Sequence, residues 1–224
     1  MAEIELKINK DVPQYVCDSC RKCSSIFGQS LCTTQHRGCC WYSPKFTLYE
    51  IHKMVKSNEG LELLERIRNM DNIKIYNYYI HVKANFDEVS YKKYTKNHRY
   101  ILNGDKVEDK RIFFKSCRFV KEGVGCTIPA EFRSHVCNLF ICKEVTDELN
   151  GNKEFKNYLK ERDNYVRWLT WEEDSLQMMF IEKDLNLIDN FDEIIDILKE
   201  MPLENYECIE LKPIQGQVNL RRGA

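Results

Sequence analysis

Clustered cysteines are the feature that most constrains how this chain can fold. The segment YVCDSCRKCSSIFGQSLCTTQHRGCCWY places six cysteines between Cys17 and Cys40, with few apolar residues among them. Four more stand between Cys117 and Cys142, and Cys208 brings the total to 11. Thiols at this density pair as disulfides, bind metal or stay free, so their chemistry decides how both segments fold.

Compartment and chain size favour metal over disulfides. With 224 residues, 43% of them hydrophobic, the chain can bury an ordinary core without disulfide staples. Its N-terminal stretch, MAEIELKINKDVPQYV, lacks the basic start and apolar region of a secretory signal. The sequence contains no run of about 18 apolar residues, so it predicts no membrane-spanning helix. We therefore expect a cytoplasmic protein without membrane contact, whose cysteines are kept reduced.

The first cysteine group contains a repeated spacing that suits a metal. Cys17, Cys20 and Cys23 follow a C-x2-C-x2-C pattern, which lets three thiolates converge from one loop and occurs in ferredoxin-type iron–sulfur ligation. Cys32 follows after eight residues and without a proline, so the ferredoxin fingerprint itself is absent. Tetrahedral zinc accepts the same ligands. The cofactor is thus an iron–sulfur cluster, with 4Fe–4S favoured, or zinc.

Ten thiols exceed what one four-ligand centre can use, so the sequence favours two centres. The candidate metal ligands are Cys17, Cys20, Cys23, Cys32, Cys39, Cys40, Cys117, Cys126, Cys137 and Cys142. We expect the C-x2-C-x2-C cysteines to share one centre with Cys32 or Cys142. Cys39, Cys40, Cys117, Cys126 and Cys137 supply the other, with one or two thiols left beside the centres, so the two cysteine groups should meet.

Residues beside the cysteines are given smaller roles. Cys208 stands alone in the apolar segment NYECIEL and is interpreted as a core residue. His36 and His135 are expected to neighbour the ligands, since the cysteines already supply enough donors. Arg133 either offsets thiolate charge or forms a surface ion pair. The sequence identifies no catalytic residue, and it contains neither a P-loop nor a Rossmann glycine pattern.

Two segments together resemble a known family. The first reads GCCWYSPKFTLYEIHKM, a doubled cysteine followed by a helix that begins with a threonine and an acidic residue. The second carries a spaced set of residues in matching order. Its members are Cys117, Phe119, Gly125, Cys126, Ile128, Arg133, Ser134, His135, Val136 and Cys137.

These segments resemble the cysteine-cluster proteins named for a C-x2-C-x2-C-C motif, which are described as zinc- or iron-binding. The likeness covers residues 17–56 and 117–142. The chain departs from the family in two ways: about fifteen residues separate CDSCRKC from GCC, and Ser134 replaces the usual proline. The resemblance implies metal binding. One branch of the family that the motif resembles is the flagellin lysine methylases. This resemblance keeps an enzymatic interpretation open.

Periodicity predicts an α+β fold with a few central strands and C-terminal amphipathic helices. With the cysteines holding metal, we expect a small irregular metal-stapled domain. We predict helices from Thr47, from Leu61 to Asn69, in KEFKNYLKERDNYVRWL and in DNFDEIIDILKEM. Strands are predicted near Ile73–Val82, Arg99–Leu102 and Arg111–Phe114. A cysteine-cluster domain would span residues 1–150, with a helical extension, 151–224, packed on it.

Charge is unevenly distributed along the chain. Residues 74–121 carry 12 lysines and arginines against 5 acids, whereas residues 171–210 carry 13 acids against 2 bases. The basic segment is rich in tyrosine and phenylalanine, a mixture that can bind nucleic acid. The favoured alternative is a strand whose aromatic side chains pack on one face, with basic neighbours facing the acidic C-terminal segment.

The sequence therefore predicts a metal-binding cysteine-cluster protein whose redox or catalytic role is unassigned. Its first alternative is a zinc-stapled interaction module. The second is a metal-dependent protein-modifying enzyme similar to a lysine methylase. A protein or small-molecule partner is expected, of a kind that the sequence does not specify.

Overall fold

A computed structural model describes residues 2–9, 12–17, 23, 25–96, 107–212, 214 and 216–218 of the chain. Helices and small antiparallel sheets are mixed within them, so the predicted α+β class is confirmed. Two of the predictions lie outside the described residues. These are the ligand Cys20 and the strand at 99–102.

The strands form small antiparallel sheets and two-stranded ladders. They are β1 (Ala2–Asn9), β2 (Val12–Cys17), β3 (Lys45–Thr47), β4 (Ile73–Tyr76), β5 (Tyr79–Val82), β6 (Asn85–Phe86), β7 (Lys115–Ser116), β8 (Val120–Lys121), β9 (Gly125–Cys126) and β10 (Gly216–Val218). One sheet has the order β10-β1-β2 and another β3-β5-β4, while β6 pairs with β7 and β8 with β9.

The helices are α1 (Leu48–Val55), α2 (Asn58–Arg68), α3 (Glu88–Lys96), α4 (His135–Leu139), α5 (Lys143–Glu148), α6 (Lys153–Glu182) and α7 (Phe191–Glu200). Four of them, α1, α2, α6 and α7, lie where periodicity predicted them, while α3, α4 and α5 were not predicted. Helix α1 begins where the capping-box spacing predicts, since the Glu50 carboxylate accepts a hydrogen bond from the Thr47 N–H at 3.0 Å. Within the described part of the chain, no helix combines the length and apolar character needed to cross a membrane.

The largest apolar core is built around α1. Leu48, Ile51 and Met54 are completely buried there, against side chains of α2, of the sheet β3-β5-β4 and of the long helices α6 and α7. The apolar residues of α7 all face this core, as their i, i+3, i+4, i+7 spacing predicts. One core therefore joins elements from both sides of residue 150.

The predicted strand at Arg111–Phe114 is wrong, because the segment Lys110–Phe114 forms a 3₁₀ helix. Phe113 and Phe114 are neighbours in the chain and both are fully buried, whereas in a strand their rings would point to opposite faces. The tighter turn lets both rings enter one small core. Apolar residues of the cysteine-rich loop 25–41 pack against it, including Phe27 and Trp41. This core therefore positions the loop.

Candidate metal centre

Four cysteines from distant parts of the sequence come together at the C-terminal end of the cysteine-rich loop 25–41. We call them the four-thiol group: Cys40, Cys117, Cys126 and Cys137. Cys40 ends the loop, and its carbonyl oxygen accepts a hydrogen bond from the Cys117 N–H at 2.8 Å. This bond joins chain positions that 76 residues separate, and it brings the two cysteine groups together.

The hairpin β8-β9 places Cys126 beside Cys117. Cys126 pairs with Val120 across the hairpin, and the Val120 N–H donates to the Cys117 carbonyl oxygen at 3.2 Å. The connection between the strands needs backbone angles that favour glycine, with φ of 72° at Gly123 and 97° at Gly125. Cys117 and Cys126 both pack against the main core, so the hairpin is anchored at that end.

Glu50 connects the start of α4, and so Cys137, to helix α1. Its Oε1 accepts hydrogen bonds from the His135 backbone N–H at 2.7 Å and from the ring Nδ1 of His135 at 2.9 Å. Its other oxygen caps α1 at Thr47. The buried Glu50 carboxylate therefore holds His135 in place two residues before Cys137.

The four thiols interact electrostatically with one another. Burial, and next the proximity of Cys126, raises the pKa of Cys40. Burial is also the main reason that the pKa of Cys117 rises to about 12, with Cys40 and Cys126 adding to it. Cys137 is exposed as a residue, yet burial of its thiol, and next the other three sulfurs, raise its pKa. Burial therefore favours the protonated thiols of Cys40, Cys117 and Cys137.

Two arginines approach the four-thiol group. Arg37 is 2% exposed, a rare placement for a guanidinium. It donates hydrogen bonds to the carbonyl oxygens of Gly38 at 2.6 Å, Ile112 at 2.8 Å and Gln29 at 2.9 Å. Across the described residues no carboxylate pairs with it. Its charge instead interacts with the thiols of Cys32, Cys39 and Cys40.

Arg133 is the second arginine. Its Nε donates to the Ile128 carbonyl oxygen at 2.7 Å, and its charge lowers the pKa of Cys40 against the larger effect of burial. Of the two interpretations given for Arg133, a role in offsetting thiolate charge fits this position. Arg37 was missed from the sequence, although its place in HRGCC beside two cysteines was a usable signal.

Cys23, Cys39 and Cys142 form a three-thiol group nearby. Hydrogen bonding with Cys39, opposed by burial, lowers the pKa of Cys23 from its ordinary 9.0 to about 6. Burial raises the pKa of Cys142 to about 11, with Cys23 among the smaller causes. Gly28 packs so closely here that an added Cβ would lie 2.6 Å from the Cys23 sulfur. Cys39, expected beside Cys40 in one centre, thus contacts Cys23.

The remaining candidates lie in different surroundings. Cys32 is buried, with its sulfur 3.1 Å from the Ser30 hydroxyl, and Cys17 ends β2. His36 is exposed and has a φ of 53°. Cys208 is half-buried and interacts with Glu161 of α6, so its interpretation as a core residue is wrong.

No group of three or more His, Cys, Asp or Glu side chains is arranged to hold a metal ion within the described ranges. Nor do the described cysteines form a disulfide. The four-thiol group therefore contains sulfur donors that metals accept, but the observed positions of the sulfurs do not form a metal-binding set.

Comparison with known proteins adds no family to this picture. No family model, no curated protein and no solved structure matches the chain.

Proposed function

We propose that the four-thiol group binds a metal through its cysteine sulfurs, and that the chain is a metal-binding protein of the cysteine-cluster kind. The observation that carries the proposal is the meeting of four cysteines from three separate segments beside a buried arginine that has no carboxylate partner among the described residues. Burying several thiols together with a lone cation is costly unless the thiols carry negative charge.

Binding of a metal would give the thiols that negative charge by deprotonating them. Thiolate ligands are deprotonated when a divalent cation binds them, which removes the burial penalty that keeps Cys117 protonated. Four thiolates around Zn²⁺ carry a net charge of about −2, and so do four around an oxidised 4Fe–4S cluster. Arg37 and Arg133 are placed to offset it. Zinc would supply a structural cross-link there, and an iron–sulfur cluster would supply electron transfer.

Binding requires the four sulfurs to draw together, since the side chains form no ligand set as they stand. Cys40 and Cys117 are fixed by their backbone hydrogen bond, and Cys126 is fixed by its hairpin. Cys137 lies on the short helix α4 at the exposed rim. We therefore expect α4 to make most of the adjustment.

Metal and acid-labile sulfide analysis of protein prepared without oxygen tests the proposal. An iron–sulfur cluster gives about four iron and four sulfide per chain, whereas zinc gives about one metal ion and no sulfide. Replacing Cys126 with serine should remove the metal. Replacing Cys208, which lies beside Glu161, should leave it bound.

The proposal fails if wild-type protein contains well under one metal ion per chain, or if Cys126→Ser and Cys208→Ser retain equal amounts. A second centre that joins Cys17, Cys20 and Cys23 with Cys32 or Cys142 stays a prediction from the sequence. Of these cysteines, Cys20 lies outside the described residues.

A further inference from the structure

The sheet β3-β5-β4 presents one face to the core and the opposite face to solvent. Phe46, Ile80 and Ile75 lie side by side across the three strands and point inward, where Phe46 and Ile80 are completely buried. Because side chains alternate along a strand, the neighbouring positions point outward. We call this outward surface the basic sheet face: Lys45, Lys74, Tyr76, Tyr79, His81 and Lys83.

The register arranges this face in rows across the strands. Lys45 pairs with His81 and His81 with Lys74, so three basic side chains stand in line across the sheet. Strands lie about 4.8 Å apart, which separates the backbones of the two lysines by roughly 10 Å. In the next row Tyr79 pairs with Tyr76, and their rings stack with centroids 4.4 Å apart.

The lysines cover the outer sides of the stacked tyrosines. The Lys45 Nζ lies 5.0 Å from the centre of the Tyr79 ring, and the Lys74 Nζ lies 4.6 Å from the centre of the Tyr76 ring. The result is a layered arrangement of ammonium, ring, ring and ammonium. Cation–π contacts at exposed sites are weak, so a phosphate anion can draw the lysines away from the rings.

In the part of the chain that the structure describes, no acidic side chain pairs with these lysines. Residues 43–47 and 72–84 contain no aspartate or glutamate, and within the described ranges no ion pair is formed by Lys45, Lys74 or Lys83. Burial lowers the pKa of His81, and the charged neighbours that add to this effect are Lys45 and Lys83. No ion pair joins these lysines to the acidic C-terminal segment within the described residues, whereas Arg68 of α2 pairs with Asp192 of α7 at 2.8 Å.

We infer that the basic sheet face binds single-stranded nucleic acid. Lysines at this spacing can neutralise successive phosphates, and a lysine that leaves its ring exposes an aromatic surface on which a base can stack. An acidic polypeptide would pair with the lysines, but it does not carry an aromatic ring beside each charge as a nucleic acid does. The stacked pair between two lysines therefore favours nucleic acid. This inference is independent of the metal proposal, because none of the cysteines contributes to the face.

Fluorescence anisotropy with labelled oligo(dT) and oligo(U) of about 20 nucleotides tests the inference. The logarithm of the affinity falls with the logarithm of salt concentration by about 0.7 per phosphate contact. The double variant Lys45→Gln/Lys74→Gln should therefore lower the slope by about 1.4 and weaken binding at least tenfold. Lys156→Gln/Lys183→Gln removes the same charge from exposed positions on and beside α6 and should bind like wild type.

Tyrosine variants separate stacking from charge. Tyr79→Ser should weaken binding about tenfold, while Tyr79→Phe, which keeps the ring, should change it little. Thermal denaturation of each variant checks that the fold is kept. Absence of salt-dependent binding overturns the inference, as does equal loss in the two lysine pairs. Tighter binding of poly-glutamate than of either oligonucleotide overturns it in favour of an acidic protein partner.

Discussion

At the scale of single residues, Cys23 and Cys142 show how the same chemical group acquires opposite properties a short distance apart. Hydrogen bonding with Cys39 favours the thiolate of Cys23, whereas burial is the main effect on Cys142 and favours its protonated form. The pKa of Cys23 lies near 6 and that of Cys142 near 11. The thiolate is the reactive form, so this difference has a chemical consequence.

We predict that iodoacetamide modifies Cys23 well before Cys142 at pH 7.5. The rate at Cys23 should rise through about pH 6 and level off above it, because the lowered pKa makes the thiolate the main form there. Mass spectrometry of digested protein after short exposure measures both sites in one sample. Cys39→Ala, which removes the hydrogen bond, should move the rise at Cys23 to higher pH. Equal rates at Cys23 and Cys142 would contradict the prediction.

The sequence predicted that Cys39, Cys40, Cys117, Cys126 and Cys137 share one centre, and the structure brings the last four together but places Cys39 beside Cys23. That any of them binds metal stays a prediction. Cysteine spacing identified the candidates. The contact between Cys40 and Cys117 depends on a backbone hydrogen bond between segments 76 residues apart, which local patterns do not encode. The capping-box spacing likewise predicted one hydrogen bond of Glu50 but not its hold on His135.

At the scale of elements, apolar periodicity was reliable where one face of an element meets a core. The spacing of Phe191, Ile194, Ile195 and Leu198 predicted α7 and its buried side. Periodicity predicted the structure less well where the chain turns. Residues 73–82 read as one strand, but they form the hairpin β4-β5 around Asn77 and Tyr78, a turn without glycine or proline to signal it.

The hairpin β8-β9 offers a test of how an element positions a candidate ligand. Gly125 precedes Cys126 and has a φ of 97°, while the space around it is open, so an added methyl group meets only a backbone penalty. We predict that Gly125→Ala lowers the free energy of unfolding by about 1–3 kcal/mol, measured with urea. It should also reduce metal content, because the change displaces Cys126.

Gly151→Ala is the matched control. Its surroundings are equally open, and its φ is outside the range that L-residues avoid. Restricting the unfolded chain should make this variant neutral or slightly more stable, with metal content unchanged. A Gly125 variant as stable as the Gly151 variant would mean that the hairpin does not depend on its left-handed residue.

At the scale of the whole molecule, the helices and the cysteine-rich loop pack on apolar cores of very different size. Helices α1, α2, α6 and α7 share the main core, whereas the cysteine-rich loop rests on a small separate core at Phe113 and Phe114. The four-thiol group lies between them, since Cys117 and Cys126 contact the main core and Cys40 belongs to the loop. Metal at that position would join the weakly supported loop to the well-supported helices.

We therefore predict that a chelator loosens one part of the protein and leaves the other folded. Metal binding contributes roughly 10–16 kcal/mol to folding in small zinc domains that have little core of their own. Here the main core should keep α1, α6 and α7 folded, so circular dichroism should lose little helix signal on metal removal. Hydrogen exchange should quicken in residues 25–41 and 117–139, where the backbone depends on the joined cysteines. Loss of protection throughout the chain would show that the helices also need the metal, and unchanged exchange at Cys40 and Cys117 would remove the four-thiol group from any structural role.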